Sequence, residues 1–126
     1  MASRESLIGK VEGYTVEFEP VGDRLQVEFE GTIVADTTRA LRILETAHEP
    51  ALYFPRADIA MEFLERTSHS TFCPFKGDAS YWSLRAGGAL SENAVWSYED
   101  PFAEVDALRD YVSFYPDRVA VSVPKT

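Results

Sequence analysis

The chain has 126 residues, 45% of them apolar and 26% charged, which are the proportions of one folded domain rather than a disordered tail. Its net charge of −9, from 21 acids against 12 bases, repels a long polyanion, so nucleic-acid binding is not expected. A single cysteine and two histidines exclude an intramolecular disulfide and the usual Cys/His zinc sites, so no metal is expected.

The opening segment "MASRESLIGKVEG" lacks the apolar core of a secretory signal, and no apolar run approaches the roughly 18 residues that cross a bilayer. A cytoplasmic protein without membrane contact is therefore expected, as one domain over residues 1–126 with 1–12 as a flexible arm. From Tyr14 the apolar residues alternate. Tyr14, Val16 and Phe18 point one way while Thr15, Glu17 and Glu19 point the other, which predicts a half-buried strand. Pro20 to Asp23 reads as a turn, and "RLQVEFE" repeats the alternation with Leu25, Val27 and Phe29 inward, so residues 14–29 are expected to form an antiparallel hairpin. Gly31 ends it, and "TIVAD" opens a third strand.

"TTRALRILE", residues 37–45, fits a short helix or a strand by its own pattern. A comparison within the chain favours the strand. "FEGTIVADTTRALRILE" and "RAGGALSENAVWSYE" share a glycine at 31 or 88, an acid or amide at Asp36 or Asn93, and an Ala-to-Glu run at 40–45 and 94–99. This suggests an internal duplication of a strand-turn-strand unit, packed about a pseudo-twofold axis. "PRADIAMEFLERT" leaves helix and strand open. In "FAEVDALRDYV", Phe102, Val105, Leu108 and Val112 share a helical face behind Pro101, which predicts a C-terminal helix over 102–112. "DRVAVSV" closes the chain as a strand with Val119, Val121 and Val123 on one face. The expected class is α+β, mostly antiparallel β, with two small sheets forming a sandwich or partial barrel and one C-terminal helix.

The stretch "HSTFCPFKGDASYWS" concentrates the reactive letters. Pro74 biases Cys73 toward extended backbone, and Gly77 permits a positive φ before the next strand. Lys76 and the amides around Gly77 and Asp78 could cradle an anion, although the spacing is not that of a P-loop. Cys73 reads either as a small buried apolar group or as a nucleophile paired with His48 or His69. Glu45, three residues before His48, could orient the imidazole for acid/base work; a plain loop before Pro50 explains the same letters. Arg56 is a candidate anion clamp or the partner of a surface acid. Tyr81, Trp82, Trp96 and Tyr98 are either core or a stacking wall for a planar ligand.

"ALRILETAHEP", "YFPRADI", "CPFKGDASYWS", "ENAVWSYEDPF" and "FYPDRV", in this order, closely resemble the DUF427 family of small bacterial and fungal proteins over about residues 25–120. The family is one of unknown function. The resemblance carries over Glu45, His48, Pro55, Cys73, Pro74, Lys76, Gly77, Asp78, Tyr81, Asn93, Trp96, Tyr98, Glu99, Pro101, Tyr115 and Pro116. It implies that Glu45, His48, Arg56, Cys73, Lys76 and Tyr81 converge. The nucleotidyltransferase label also attached to the family finds no support, because the chain contains no Asp-x-Asp pair.

Two function classes follow. In the first, a pocket between the sheets binds a small anionic or planar ligand, with Arg56 and Lys76 on the anion and Trp82 or Trp96 as the apolar wall. In the second, Cys73 or a Glu45/His48 pair catalyses a reaction. A third, smaller possibility is an interaction surface on the acidic helix around Glu104 and Asp106. No cofactor can be named, and an exposed strand at the end of a sheet could pair two copies into a homodimer.

Overall fold

The computed structural model describes residues 6–124, among which ten strands form two antiparallel sheets. The strands are β1 (Val16–Pro20), β2 (Leu25–Phe29), β3 (Thr32–Thr37), β4 (Leu41–Glu45), β5 (Ala51–Pro55), β6 (Leu64–Cys73), β7 (Gly77–Ala86), β8 (Ala89–Ser97), β9 (Tyr111–Phe114) and β10 (Ala120–Ser122). The large sheet runs β1-β4-β5-β9-β8-β7-β6 and the small one β10-β2-β3. Neither closes into a barrel, since β1 and β6 end the large sheet without pairing to each other.

β7 shows why the large sheet has two buried faces. Trp82, Leu84 and Ala86 enter a first core with Leu25, Val27, Phe29 and Val34 of the small sheet. Ala79 and Tyr81, on the opposite parity, enter a second core with Ile43, Tyr53, Tyr98, Phe102, Val105 and Leu108. The small sheet therefore covers one face of the large sheet, and the segment from Phe102 to Leu108 covers part of the other.

This arrangement corrects three expectations. Residues 14–29 do not form a hairpin: β1 pairs with β4, while β2 pairs with β3 and β10. Val16 and Phe18 pack on the second core and Leu25, Val27 and Phe29 belong to the first, so the chain crosses between sheets at Pro20–Asp23. The duplicated segments are also not equivalent, because 29–45 spans β3 and β4 in different sheets whereas 85–99 is one hairpin within the large sheet. The two hairpin turns do match: Glu30-Gly31 and Gly87-Gly88 are two-residue loops with positive φ at both positions. Of residues 40–45, Leu41–Glu45 form β4, a strand as the comparison suggested.

In place of the C-terminal helix stands a 3₁₀ segment, Ala103–Leu108, kinked at Val105, followed by β9. Phe102, Val105 and Leu108 are spaced by three, which fits a 3₁₀ turn as well as an α-helix, and Val112 belongs to the strand instead. Short 3₁₀ turns also occupy Arg56–Asp58 and Met61–Phe63. β10 is a strand, but its Val121 is exposed, as is Val123, so the final valines do not build a buried face.

The large sheet curls. The β6–β7 turn, at one end of the strand order, reaches residues at the other end. Lys76 pairs with Glu45 of β4, the Phe75 ring stacks on Tyr14 at 3.8 Å between centroids, and Leu7 N–H donates to Pro74 O at 3.0 Å. Of the expected arm, residues 1–5 lie outside the described residues. Ser6 is buried, with its hydroxyl donating to Phe75 O at 2.7 Å.

Gly87 fixes where the two sheets meet, because a Cβ there would lie 2.8 Å from Glu30 O in the β2–β3 turn, whereas one at Gly88 would meet nothing within 4 Å. Both have positive φ. Gly88→Ala is expected to cost about 1–2 kcal/mol through backbone strain alone, and Gly87→Ala distinctly more, measured by urea denaturation. Equal losses would show that the turn contact yields freely.

Candidate functional site

The curl leaves a cavity of about 480 Å³ on the second-core side of the large sheet. Strands deliver most of its walls by alternation, Ile43 and Glu45 from β4, Ala51 and Tyr53 from β5, Trp96 from β8 and Tyr81 from β7, while the consecutive Phe72 and Cys73 reach it where β6 ends at the turn. The β6–β7 turn adds Pro74, Phe75 and Lys76. Tyr98 and Tyr115 follow β8 and β9, and Tyr14 precedes β1.

Glu45 is the most heavily bonded group in the cavity. Its side chain is 7% exposed; one carboxylate oxygen accepts from Lys76 Nζ and the other from the Tyr14 hydroxyl. Burial acts to raise the Glu45 carboxyl, but the hydrogen bonds from Lys76 and Tyr14 outweigh it and hold the group below the usual carboxylate range. Tyr14 is pushed up by burial and by the adjacent carboxylate. Lys76, 10% exposed at its side chain, also lies 5.7 Å from the Tyr98 ring centroid. Its placement follows from a three-residue loop: Cys73 pairs with Gly77, and Gly77 takes φ +116 to turn the chain into β7.

His48 stands at the mouth, where Ala47 at φ +66 closes a turn and His48 N–H donates to Glu45 O at 3.1 Å. Its Nε2 lies 3.8 Å from Glu45 Oε2, and its side chain is 61% exposed. Cys73 is half-buried on the wall, and among the described residues no histidine hydrogen-bonds its Sγ. His69 instead lies edge-on to Tyr81 at 4.4 Å.

The aromatic wall is partly cross-bonded. Trp96 Nε1–H donates to Tyr53 Oη at 3.2 Å, and the Trp96 and Tyr115 rings are 4.5 Å apart. Tyr81 Oη is 3.0 Å from Thr71 Oγ1. Burial, with the Tyr81 hydroxyl beside it, raises Tyr115 to about 12. Burial likewise raises Tyr53 and Tyr98, so both phenols are neutral at physiological pH.

Of the residues singled out from the sequence, Glu45, His48, Cys73, Lys76, Tyr81, Trp96 and Tyr98 share this cavity. Arg56 and Trp82 do not. Arg56 binds Glu99 at 3.0 Å together with Arg66 at 2.7 Å, and both guanidinium carbons lie over Trp82, at 5.5 and 5.2 Å from its ring centroid. Hydrogen bonding by Arg66, opposed by burial and aided by Ser80 and Arg56, lowers Glu99 to about 2. Trp82 itself is buried in the first core. Gly77 is buried backbone, and Asp78 is exposed on β7 outside the cavity lining.

Tyr14, Tyr53, Phe75 and Tyr115 were not singled out for the site, although "YFP" and "FYP" both mark it. The residue two before each proline takes opposite roles: Tyr53 on β5 faces the cavity, whereas Phe114 on β9 faces the first core and Tyr115 follows it.

The candidate site is thus a cavity of about 480 Å³ on the curled face of an antiparallel β domain. A family model described as a domain of unknown function, DUF427, matches residues 17–125, and the chain belongs to that family. No curated protein matches it.

Lys76→Met should destabilise the protein by about 3–5 kcal/mol by leaving Glu45 buried without its cation. The double change Glu45→Leu with Lys76→Met should recover most of the loss in urea denaturation at pH 7; a double variant as unstable as the single one would contradict the pairing. Because Glu45 has a lowered folded pKa, the pair contributes fully above the ordinary carboxylate value of about 4.3. That contribution should fade as pH falls through the lowered value, and the double variant should lack this part of the pH dependence.

Proposed function

We propose that the domain binds a planar small molecule in the cavity between the β6–β7 turn and β4, β5, β7 and β8. The aromatic wall carries this reading: Tyr53, Tyr81, Trp96, Tyr98 and Tyr115 line about 480 Å³ around a small set of placed polar groups. Charge favours the planar over the anionic version of the expected ligand. Lys76 is already neutralised by Glu45, Glu49 lines the same opening, and the second basic residue assigned to anion capture, Arg56, is bound to Glu99. An added anion would have to displace a buried carboxylate from its cation.

The enzyme reading rests on His48 beside Glu45 at the mouth. Glu45 already accepts from Lys76 and Tyr14, which favours a structural and orienting role for its carboxylate.

The two tryptophans lie on opposite faces of the large sheet, so one protein contains both a reporter and its control. In a titration with coumarin followed by ¹H–¹⁵N NMR, the indole N–H signal of Trp96 should shift saturably while that of Trp82 stays in place. Trp96→Phe identifies the moving signal. Signals that both stay fixed, or both drift without saturation, would sink the reading. Native mass spectrometry of protein purified without added ligand gives the companion result, a retained small molecule.

A further inference from the structure

The polar groups on the cavity wall are unevenly satisfied. Glu45, Lys76 and Tyr14 bond one another, and Tyr81 is bonded to Thr71. Tyr98 differs. It is 8% exposed and lines the cavity, yet among the described residues its hydroxyl has no hydrogen-bond partner; its polar contact is the Lys76 ammonium over its ring. Tyr53, 3% exposed, accepts from Trp96 Nε1–H, which consumes a lone pair of its oxygen, and among the described residues its own proton has no acceptor. No buried side-chain oxygen among the described residues is sealed away without a partner, so the Tyr98 hydroxyl is not closed off, and Tyr98 lines the cavity. Both phenols line the same cavity, and Tyr53 is near enough to Tyr98 to add to the cost of charging it.

A phenol held in a mostly apolar wall without an acceptor forgoes a hydrogen bond that water or a ligand must supply. Two such donors on one cavity, both kept protonated by burial, suit an oxygen acceptor on the occupant. We propose that Tyr53 and Tyr98 are the oxygen-recognition end of the cavity, and that its ligand is a neutral planar ring bearing a carbonyl oxygen that accepts from both hydroxyls. The proposal rests on the cavity reading above and specifies the ligand's chemistry. Trp96 then has two functions in it: it stacks on the ring and, through its N–H, fixes Tyr53 with the proton directed away from the indole.

The test compares 1-indanone with indane, two flat bicyclic probes that differ by the carbonyl oxygen, on the full chain. Indanone is expected to bind more tightly than indane, and its carbonyl stretch to move to lower frequency on binding. Tyr98→Phe and Tyr53→Phe should each weaken indanone about fivefold, the size of one hydrogen bond, and return the band partway toward its free position. Tyr111→Phe, which removes a hydroxyl bonded to Arg39 O outside the cavity, should leave both readouts unchanged and controls for folding. Indane binding as tightly as indanone, or a bound carbonyl band that does not move, would overturn the tyrosine assignment and leave the cavity reading intact. Binding of neither probe, with no shift at Trp96, would overturn both.

Discussion

The ion pair between Lys76 and Glu45 joins opposite ends of the large sheet. Lys76 sits on the turn between β6 and β7, and Glu45 ends β4 beside the edge strand β1. A seven-stranded sheet twists by its own stereochemistry, but twist alone does not bring those ends into contact. The pair does so, reinforced by Tyr14 stacking on Phe75 and by Ser6 and Leu7 bonding to Phe75 and Pro74. Burying two charges costs solvation, and the cost is offset only when the remaining lone pairs and protons are used. Here Tyr14 uses the second carboxylate oxygen, and the Tyr98 ring faces the ammonium. The curl, and the cavity it encloses, depend on that complete set.

Strand identity was legible because alternation is a local property. Leu25, Val27 and Phe29 announced β2, and the glycines at 31 and 88 announced turns that require positive φ. Strand pairing was not legible. A period of two states that one face is buried without stating against what, and β1 and β2 bury their inward residues in different cores. The error over 102–112 has a similar origin. A spacing of three is shared by α and 3₁₀ helices, and only the positive φ of Asp110, which redirects the chain into β9, separates Leu108 from Val112.

Much of the cavity was present in the sequence as a list of polar and aromatic residues with no evident core role. Glu45, His48, Cys73, Lys76, Tyr81, Trp96 and Tyr98 come together from β4, β6, β7, β8 and their flanking turns. Arg56 and Trp82 were assigned there on chemical type alone, and parity on β7 decides against Trp82: it is one residue from Tyr81 and therefore on the opposite face. For Arg56 the deciding partner is Glu99, forty-three positions away and beyond any local pattern. Tyr14 and Tyr53 were hidden because a tyrosine on an alternating strand looks like core until the space in front of its hydroxyl is known.

The two faces of the large sheet differ in what fills them. The first core is closed by the small sheet and filled with Val27, Val34, Leu84, Val95 and Val112, none of which offers a polar atom beyond the backbone. The second has the same strands beneath it but replaces aliphatic groups with phenols and an indole, and its cover from Phe102 to Leu108 extends over only part of it. A sheet packed on one side can hold unsatisfied hydroxyls on the other without rearranging to satisfy them, because moving Tyr81 would move Trp82 and Leu84 in the opposite core. The shape of the cavity wall is thus tied to the packed face behind it, which is how a hydroxyl such as that of Tyr98 can stay without a partner among the described residues.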